Sequence, residues 1–293
     1  MAKTNYFTEN GKPLVSKVTF TGDLEKSAKA AMSLIGGLEK LTKKGETILL
    51  KPNYNTADPY PGSSDPEFIR IIVKQLYGAG AGKVIVGERS AYLDTWKVLE
   101  KAGVVEVARR AGAEVRVFGK NGWRALLDRR GWKRVKVTGG CCLRNVAVAR
   151  EVFEVDKIVY APLIKTHHAA GFTGAIKLSM GLVKPFFDQI AFHMRNLQQK
   201  LAELMLVVKP DLVIMDARKV FITGGPARGE LRTPNLILAS GDQVAIDVEG
   251  VKVLQSYPDS SLRTDVWNLT QIKHAVDLGI GPRSERYYKV VAG

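Results

Sequence analysis

The sequence predicts an α/β protein in which a mostly parallel sheet is flanked by helices. Short apolar runs alternate with amphipathic stretches along the chain, which is the pattern of β-α-β units. The composition, with 45% hydrophobic and 25% charged residues, is that of an ordinary globular protein. A chain of 293 residues suffices for one large domain or two modest ones. We find no convincing linker and predict a single domain over residues 1–293, with a basic insertion at about 119–150.

The first half of the chain alternates predicted strands and helices. Asp23 is predicted to cap a helix that runs to about residue 41. Pro66 is predicted to occupy the first position of a second helix, which ends near residue 77 and is capped by Ser64 or Asp65. A third helix is predicted over residues 95–111, and residues 53–66 read as a loop. The predicted strands cover residues 15–20, 47–50, 83–87 and 115–118.

The second half continues the same alternation. The predicted strands cover residues 133–138, 157–164, 212–215 and 236–239. A long helix is predicted over residues 188–207, another from Asp242 to about residue 254, and a last one over about 264–278. No internal repeat and no low-complexity tract interrupts this order.

Polar side chains fall at the predicted ends of five strands. Open parallel sheets bind ligands just outside the carboxyl ends of their strands, so these residues are expected to converge on one site. They are Lys51 with Asn53, Glu88, Lys165 with Thr166 and His167, Asp216, and Ser240 with Asp242.

The stretch from Lys165 to Lys177 carries the most chemistry. It follows a predicted strand, holds two of the four histidines, and has small residues that let a ligand approach the backbone. Thr173 precedes a predicted helix whose first turn would attract anions. Neither the phosphate-binding pattern GxxxxGK[ST] nor the dinucleotide pattern GxGxxG occurs at a suitable place.

The leading hypothesis is an enzyme that binds a small phosphorylated or carboxylated molecule. We predict His167 and Lys165 as the catalytic residues: imidazole can exchange protons near neutral pH, and the lysine would add a positive charge that holds the anion. The predicted substrate-binding residues are Lys51, Asn53, Thr173 and Lys177. Glu88 and Asp216 are predicted to hold a divalent cation through their carboxylate oxygens.

The net charge of +15 leaves a second hypothesis open. Residues 109–150 hold twelve Lys and Arg against two acidic residues, a field that favours anionic partners. Trp123 and Trp132 lie in this segment and could stack on bases of a bound nucleic acid. A solvated basic surface without a partner explains the same charges.

The two cysteines, Cys141 and Cys142, are adjacent. They cannot form a disulfide framework and fall short of the four thiolates of common iron–sulfur clusters, so we expect no such cluster within this chain. A redox accessory whose cluster lies in a partner chain is the third hypothesis. No run of residues is long and apolar enough for a membrane helix, and the first 20 residues lack the apolar core of a signal peptide. We therefore expect a cytoplasmic protein that binds no membrane. Whether it forms a homo-oligomer is left open.

Several blocks of the sequence resemble the uncharacterised DUF362 family. They are Lys51-Pro52-Asn53, Asp65-Pro66-Glu67, Gly87-Glu88, residues 161–167 (APLIKTH), residues 173–177 (TGAIK), residues 211–216 (DLVIMD) and residues 240–247 (SGDQVAID). The resemblance implies an α/β domain whose function has not been settled. Some relatives are joined to ferredoxin-like cysteine clusters, which implies redox work, but the two cysteines of this chain cannot replace such a module.

Overall fold

The computed structural model describes residues 4–90, 93–120 and 124–293. The strands are β1 (Thr8–Glu9), β2 (Lys12–Thr19), β3 (Thr47–Lys51), β4 (Lys83–Glu88), β5 (Glu114–Val117), β6 (Trp132–Lys136), β7 (Asn145–Ala149), β8 (Lys157–Tyr160), β9 (Lys165–His167), β10 (Gly171–Thr173), β11 (Leu212–Ala217), β12 (Val220–Phe221), β13 (Leu231–Arg232), β14 (Leu236–Ser240) and β15 (Lys289–Ala292). The helices are α1 (Leu24–Leu34), α2 (Pro66–Gly78), α3 (Thr95–Lys101), α4 (Val104–Arg110), α5 (Arg124–Leu127), α6 (Ala175–Leu178), α7 (Phe187–Met194), α8 (Leu197–Leu204), α9 (Gln243–Gln255) and α10 (Thr270–Asp277). Short 3₁₀ turns cover Leu38–Lys40, Arg150–Phe153, Ser179–Leu182, Val266–Asn268 and Glu285–Tyr287.

One large sheet organises the chain. Its strand order is β1-β2-β14-β11-β8-β3-β4-β5, and β15 pairs with β2 on the side of the path. Strands β11, β8, β3, β4 and β5 run parallel to one another, whereas β14 lies antiparallel between β2 and β11. The predicted α/β class with a mostly parallel sheet is therefore confirmed.

The sheet separates two hydrophobic cores. Side chains of a strand point alternately to its two faces, and β3 shows this directly: Ile48 and Leu50 belong to one core and Leu49 to the other. Helices α1 to α4 bury their apolar faces in the first core. Helices α6 to α10 contribute to the second. Both faces of the sheet are therefore covered, which explains why consecutive residues in the middle of its central strands are apolar.

Three helices begin where the sequence predicted their caps. The carboxylate of Asp23 accepts from the backbone N–H of Lys26 at 3.0 Å, and that of Asp65 accepts from Glu67 at 3.0 Å just before Pro66. Asp242 caps α9 through the N–H of Ala245 at 2.8 Å. Each carboxylate satisfies a backbone donor that has no partner within its helix.

Four predicted helices prove shorter or broken. The first ends at Leu34, where Gly36 and Gly37 take positive φ angles. The helix predicted over 95–111 divides into α3 and α4 at Gly103, with φ of 77°. The long helix predicted over 188–207 is wrong, because Asn196 takes a left-handed conformation between α7 and α8. The last predicted helix divides likewise, into a 3₁₀ turn and α10. A left-handed residue ends the ladder of helical hydrogen bonds, which apolar periodicity alone does not reveal.

The basic insertion forms a separate antiparallel hairpin. Strands β6 and β7 pair from Trp132 with Ala149 to Lys136 with Asn145. Trp132 is buried in the core, so it is not available to stack on a base, contrary to the nucleic-acid hypothesis. Trp123 lies outside the described residues. Within the described ranges, no helix has the length and apolar character needed to span a lipid bilayer.

Candidate functional site

A short hairpin places three of the predicted site residues on one face. Strands β9 and β10 pair antiparallel, with Thr173 opposite Lys165 and Gly171 opposite His167. Because alternate residues of a strand share a face, Lys165 and His167 point to the same side. Thr166 points away, and its hydroxyl donates to the carbonyl of Phe221 at 3.2 Å. Helix α6 follows β10 directly and carries Lys177.

Two adjoining cavities open beside this hairpin, with volumes of about 160 Å³ and about 80 Å³. Lys51, Glu88, Arg89, Gln189 and His193 line only the larger, and Lys165 and Asp58 only the smaller. The residues that line both are Asn53, Asn55, His167, Thr173 and Lys177. One water molecule takes up roughly 30 Å³ in the liquid, so the larger cavity has space for about five water molecules. A small anion fits into a space of this size.

Lys51 and Glu88 form a buried ion pair in the larger cavity. Each side chain is about 1% exposed, and they come from the carboxyl ends of the neighbouring strands β3 and β4. Glu88 also accepts from the backbone N–H of Tyr54 at 2.8 Å, and Lys51 donates to the carbonyl of Pro52 at 2.8 Å. Burial lowers the pKa of Lys51, although the carboxylate of Glu88 opposes this shift. The charge of Lys51 is therefore neutralised within the protein.

Lys165 is buried without a bonded carboxylate. Its ammonium donates to two backbone carbonyls, that of Pro61 at 2.9 Å and that of Gly62. The pKa of Lys165 is lowered to about 7. Burial is the largest cause and the positive charge of Lys177 is the second, while the charge of Asp58 opposes the change. Near neutral pH, a large fraction of Lys165 is therefore an uncharged amine. A neutral amine that donates both hydrogens to carbonyls keeps its lone pair for another partner.

Lys177 differs from the other two lysines. Among the described residues, its ammonium makes no hydrogen bond and no ion pair, although it lines both cavities. Burial lowers its pKa to about 8, and the charge of Lys51 adds to this effect. The hydroxyl of Thr173, which lines the same cavities, is buried and also lacks a hydrogen-bond partner in the described part of the chain. The hydroxyl of Thr173 and the ammonium of Lys177 thus line the same cavities without a partner among the described residues.

His167 is held as a neutral donor. Its Nδ1 accepts from the backbone N–H groups of Ala169 and Ala170, both at 3.2 Å, so the ring proton lies on Nε2. Burial lowers the pKa of His167 to about 2, and the charge of Lys177 contributes. A ring whose lone pair is occupied cannot take up a proton from a substrate. The geometry therefore favours a hydrogen-bond donor over the acid/base role predicted from the sequence.

Asp216 is not brought into the cavities. Its carboxylate accepts from the hydroxyl of Tyr60 at 2.8 Å and forms an ion pair with Arg218 at 2.7 Å. Strands β8 and β3 lie between β11, which carries Asp216, and β4, which carries Glu88. Three strand spacings of ~4.8 Å separate the two acids by roughly 14 Å along the sheet edge. They cannot share one cation, so the predicted metal pair is not formed.

Ser240 and Asp242 lie at the opposite edge of the sheet. Because β14 runs antiparallel to β11, Ser240 pairs with Val213 near the beginning of β11. The expectation that five strand ends converge is therefore wrong for this strand. Asp242 serves instead as the cap of α9.

Four further polar residues line the larger cavity without having been predicted there: Asn55, Arg89, Gln189 and His193. Arg89 follows Glu88 directly, so the expectation that polar residues at strand ends form the site could also have identified it. Gln189 and His193 lie one turn apart on α7, which folds back over the cavity. Both lie far in sequence from the other polar residues of the cavity, so no local sequence signal placed these two.

Known proteins are similar to this chain at the level of the family. The sequence profile of DUF362, a domain of unknown function, matches residues 48–252. The thylakoid-associated protein sll1697 of Synechocystis sp. is 25% identical over 246 residues, which cover 81% of this chain and 72% of that protein.

Two solved structures superimpose on part of this chain. A protein from Thermotoga maritima superimposes with a TM-score of 0.48 at 13% identity, over 79% of this chain and 59% of that chain. The lactate racemase apoprotein from Thermoanaerobacterium thermosaccharolyticum gives a TM-score of 0.45 at 10% identity, over 86% and 58%. This chain therefore matches less than two thirds of the length of either protein.

Proposed function

This chain belongs to the DUF362 family, and we propose that it is an enzyme acting on a small phosphorylated or carboxylated molecule. The substrate binds in the two adjoining cavities beside strands β9 and β10. One observation carries the proposal: Lys177 lines both cavities and has no anionic partner among the described residues.

The anion is assigned to Lys177 rather than to all three lysines. Lys51 is neutralised by Glu88, and Lys165 donates to two carbonyls. A phosphate or carboxylate oxygen would accept from the free ammonium of Lys177 and from the unpaired hydroxyl of Thr173. Asn53, which lines both cavities, offers a further polar group. Such charge-assisted hydrogen bonds contribute about 1.5–3 kcal/mol each.

Lys165 is assigned as the general base. A group whose pKa lies near the working pH exchanges protons most effectively, and the pKa of Lys165 is lowered to about 7. His167 donates its Nε2–H to an oxygen of the substrate and so stabilises negative charge that develops there. These roles together fit a reaction in which a proton is removed from a small anion. Perturbed pKa values grouped in one cavity are typical of catalytic sites.

The decisive test is anion binding by the Lys177→Met variant. Inorganic phosphate, acetate and oxalate are titrated by calorimetry at constant ionic strength into the original protein and into the variant. We expect at least one anion to bind, and affinity to fall about 10- to 150-fold in the variant, which is the loss of one charge-assisted bond. Lys97→Met is the matched control, because Lys97 is exposed on α3 and its removal changes the net charge equally. Equal affinities in Lys177→Met and Lys97→Met would contradict the proposal.

Within the described residues, which do not include Trp123, the nucleic-acid hypothesis now depends on charge. Trp132 is buried, and the exposed cations of the hairpin, such as Lys133 and Lys136, are consistent with a solvated surface. We therefore keep the small-anion enzyme as the proposed function.

A further inference from the structure

A cluster of thiols and a buried carboxylate lies outside the two cavities. The loop of residues 137–144, which joins β6 to β7, carries Cys141 and Cys142. It packs against Glu203 of α8, which in turn contacts His274 of α10. None of these four residues lines either cavity of the proposed active site. From this geometry we propose that Cys141, Cys142 and Glu203 bind one Zn²⁺ ion.

The two sulfur atoms point the same way, although the residues are neighbours. Their Sγ atoms lie 3.4 Å apart, and Cys141 Sγ lies 3.4 Å from Glu203 Oε1. One atom from each of the three residues falls within 4.8 Å of the others. Among the described residues, no other group of three or more His, Cys, Asp or Glu side chains brings its possible ligand atoms this close together.

These separations match the edges of a tetrahedral zinc site. With Zn–S bonds of ~2.3 Å and Zn–O bonds of ~2.1 Å, a tetrahedron places two sulfurs ~3.8 Å apart and a sulfur and an oxygen ~3.6 Å apart. The observed distances are each 3.4 Å. An ion would enter with shifts of a few tenths of an ångström. Cys141 is exposed, so the fourth coordination position faces solvent and is open to water.

The backbone is shaped so that the carboxylate can reach the loop. A Cβ atom at Gly140 would lie 2.5 Å from Glu203 Oε2, so only glycine permits this approach. Glu203 accepts from the backbone N–H groups of Cys141 at 2.9 Å and Leu143 at 2.6 Å. His274 Nε2 lies 3.0 Å from Glu203 Oε1. This contact with His274 helps to orient the carboxylate of Glu203, as hydrogen-bond partners of metal ligands commonly do.

The ligand chemistry selects the ion. Thiolates prefer borderline or soft cations, which excludes Mg²⁺ and Ca²⁺ as natural occupants. Two thiolates and one carboxylate around Zn²⁺ leave one net negative charge. The surrounding segment of residues 109–150 has a large excess of Lys and Arg, which would balance that charge. The bound ion would join the β6–β7 loop to α8.

Cobalt binding provides a test with a direct reading of thiolate ligation. Protein that has been reduced and treated with a chelator, and whose fold is verified by circular dichroism, is titrated with Co²⁺ without oxygen. The chain has only two cysteines, so any thiolate-to-cobalt charge-transfer band must arise from this site. We expect one Co²⁺ per chain, an intense near-ultraviolet band, tetrahedral bands in the visible, and displacement of Co²⁺ by Zn²⁺.

Variants separate the ligands from their surroundings. Cys141→Ser and Cys142→Ser should each lose about half of the charge-transfer band, and the double variant all of it. His274→Gln should retain the band, since His274 touches only the carboxylate. Asp277→Asn is the matched control, because Asp277 lies one turn from His274 on α10 and outside the cluster. Absence of the band at one equivalent of Co²⁺, its persistence in the double variant, or one ion per two chains would overturn the proposal. None of these outcomes depends on anion binding at Lys177.

Discussion

Lys51 and Glu88 pair across the carboxyl ends of two neighbouring parallel strands, and both side chains are buried. The pair lies in the wall of the larger cavity, which the unpaired ammonium of Lys177 also lines. Glu88 thereby cancels one of the nearby positive charges and leaves another for a ligand. This relationship explains why three lysines of similar sequence context are expected to act differently.

The buried pair should contribute strongly to stability when one partner is removed. We expect Lys51→Met to lower the free energy of unfolding by about 3–5 kcal/mol, because Glu88 would remain buried without its cation. The double variant Lys51→Met, Glu88→Gln should recover part of this loss. Urea unfolding followed by circular dichroism measures both. The exposed pair Lys83–Glu114 is the control: Lys83→Met should cost only about 0–1 kcal/mol. Similar losses in Lys51→Met and Lys83→Met would contradict the assignment.

Anion binding should be accompanied by proton uptake that grows with pH. The pKa of Lys177 is lowered to about 8, and a bound anion that pairs with this ammonium would raise it. At pH 6 Lys177 is already protonated, so little uptake is expected. At pH 8.5 the free protein has largely lost this proton, so binding must restore it and affinity falls. Calorimetry with oxalate in buffers of different ionisation enthalpy measures the uptake, since oxalate itself stays ionised throughout. Uptake that is equal at both pH values would refute this coupling.

His167 should stay neutral over the physiological range. Its pKa is lowered to about 2, and Nδ1 accepts two backbone hydrogen bonds. Nitrogen-detected NMR of the histidine rings should therefore show a fixed Nε2–H form for His167 from pH 5 to pH 8. The signal is assigned by its loss in His167→Gln. Titration of this ring between pH 5 and pH 8 would restore the acid/base role and remove the donor role.

Gly174 should tolerate no side chain. A Cβ atom there would lie 2.4 Å from Oδ1 of Asp247, the carboxylate that accepts from the first N–H groups of α6, at Ala175 and Ile176. We expect Gly174→Ala to destabilise the fold by about 1–3 kcal/mol through overpacking, and to weaken anion binding because α6 carries Lys177. Gly78→Ala is the control, since a Cβ at Gly78 meets no atom within 4 Å. A Gly174→Ala variant as stable as Gly78→Ala would show that the helix start adapts.

Asp247 should make the protein less stable as pH rises toward neutrality. Burial raises its pKa from 3.8 to about 7, and the two backbone donors oppose this only in part. Between these values the unfolded chain has released the proton that the folded chain retains, so the free energy of unfolding falls with pH. Relative to Asp247→Asn, the original protein should lose stability from pH 4 to pH 7 and change little above pH 8. A difference that is constant with pH would contradict the raised pKa.

Local signals in the sequence were sufficient for much of the fold. Asp23 and Asp242 were correctly predicted as caps, and Asp65 is the cap where Ser64 or Asp65 had been predicted, because a cap depends on neighbours two or three residues away. The parallel strands were predicted within a residue or two, except that the run predicted over 157–164 ends at Tyr160. Strands β1, β7, β9, β10, β12, β13 and β15 were not predicted. All of them except β7 have at most four residues, which leaves little alternation for a sequence pattern to show.

The sequence by itself determined the α/β class, the family, and the concentration of reactive residues between Lys165 and Lys177. Tertiary structure alone decided that β14 runs antiparallel, which moves Ser240 to the far edge, and that two strands separate Glu88 from Asp216. It also decided that Lys51 is neutralised while Lys177 is not. The physical reason is range: caps and periodicity act over a few residues, whereas charge pairing and desolvation depend on distances in space between residues far apart in the chain.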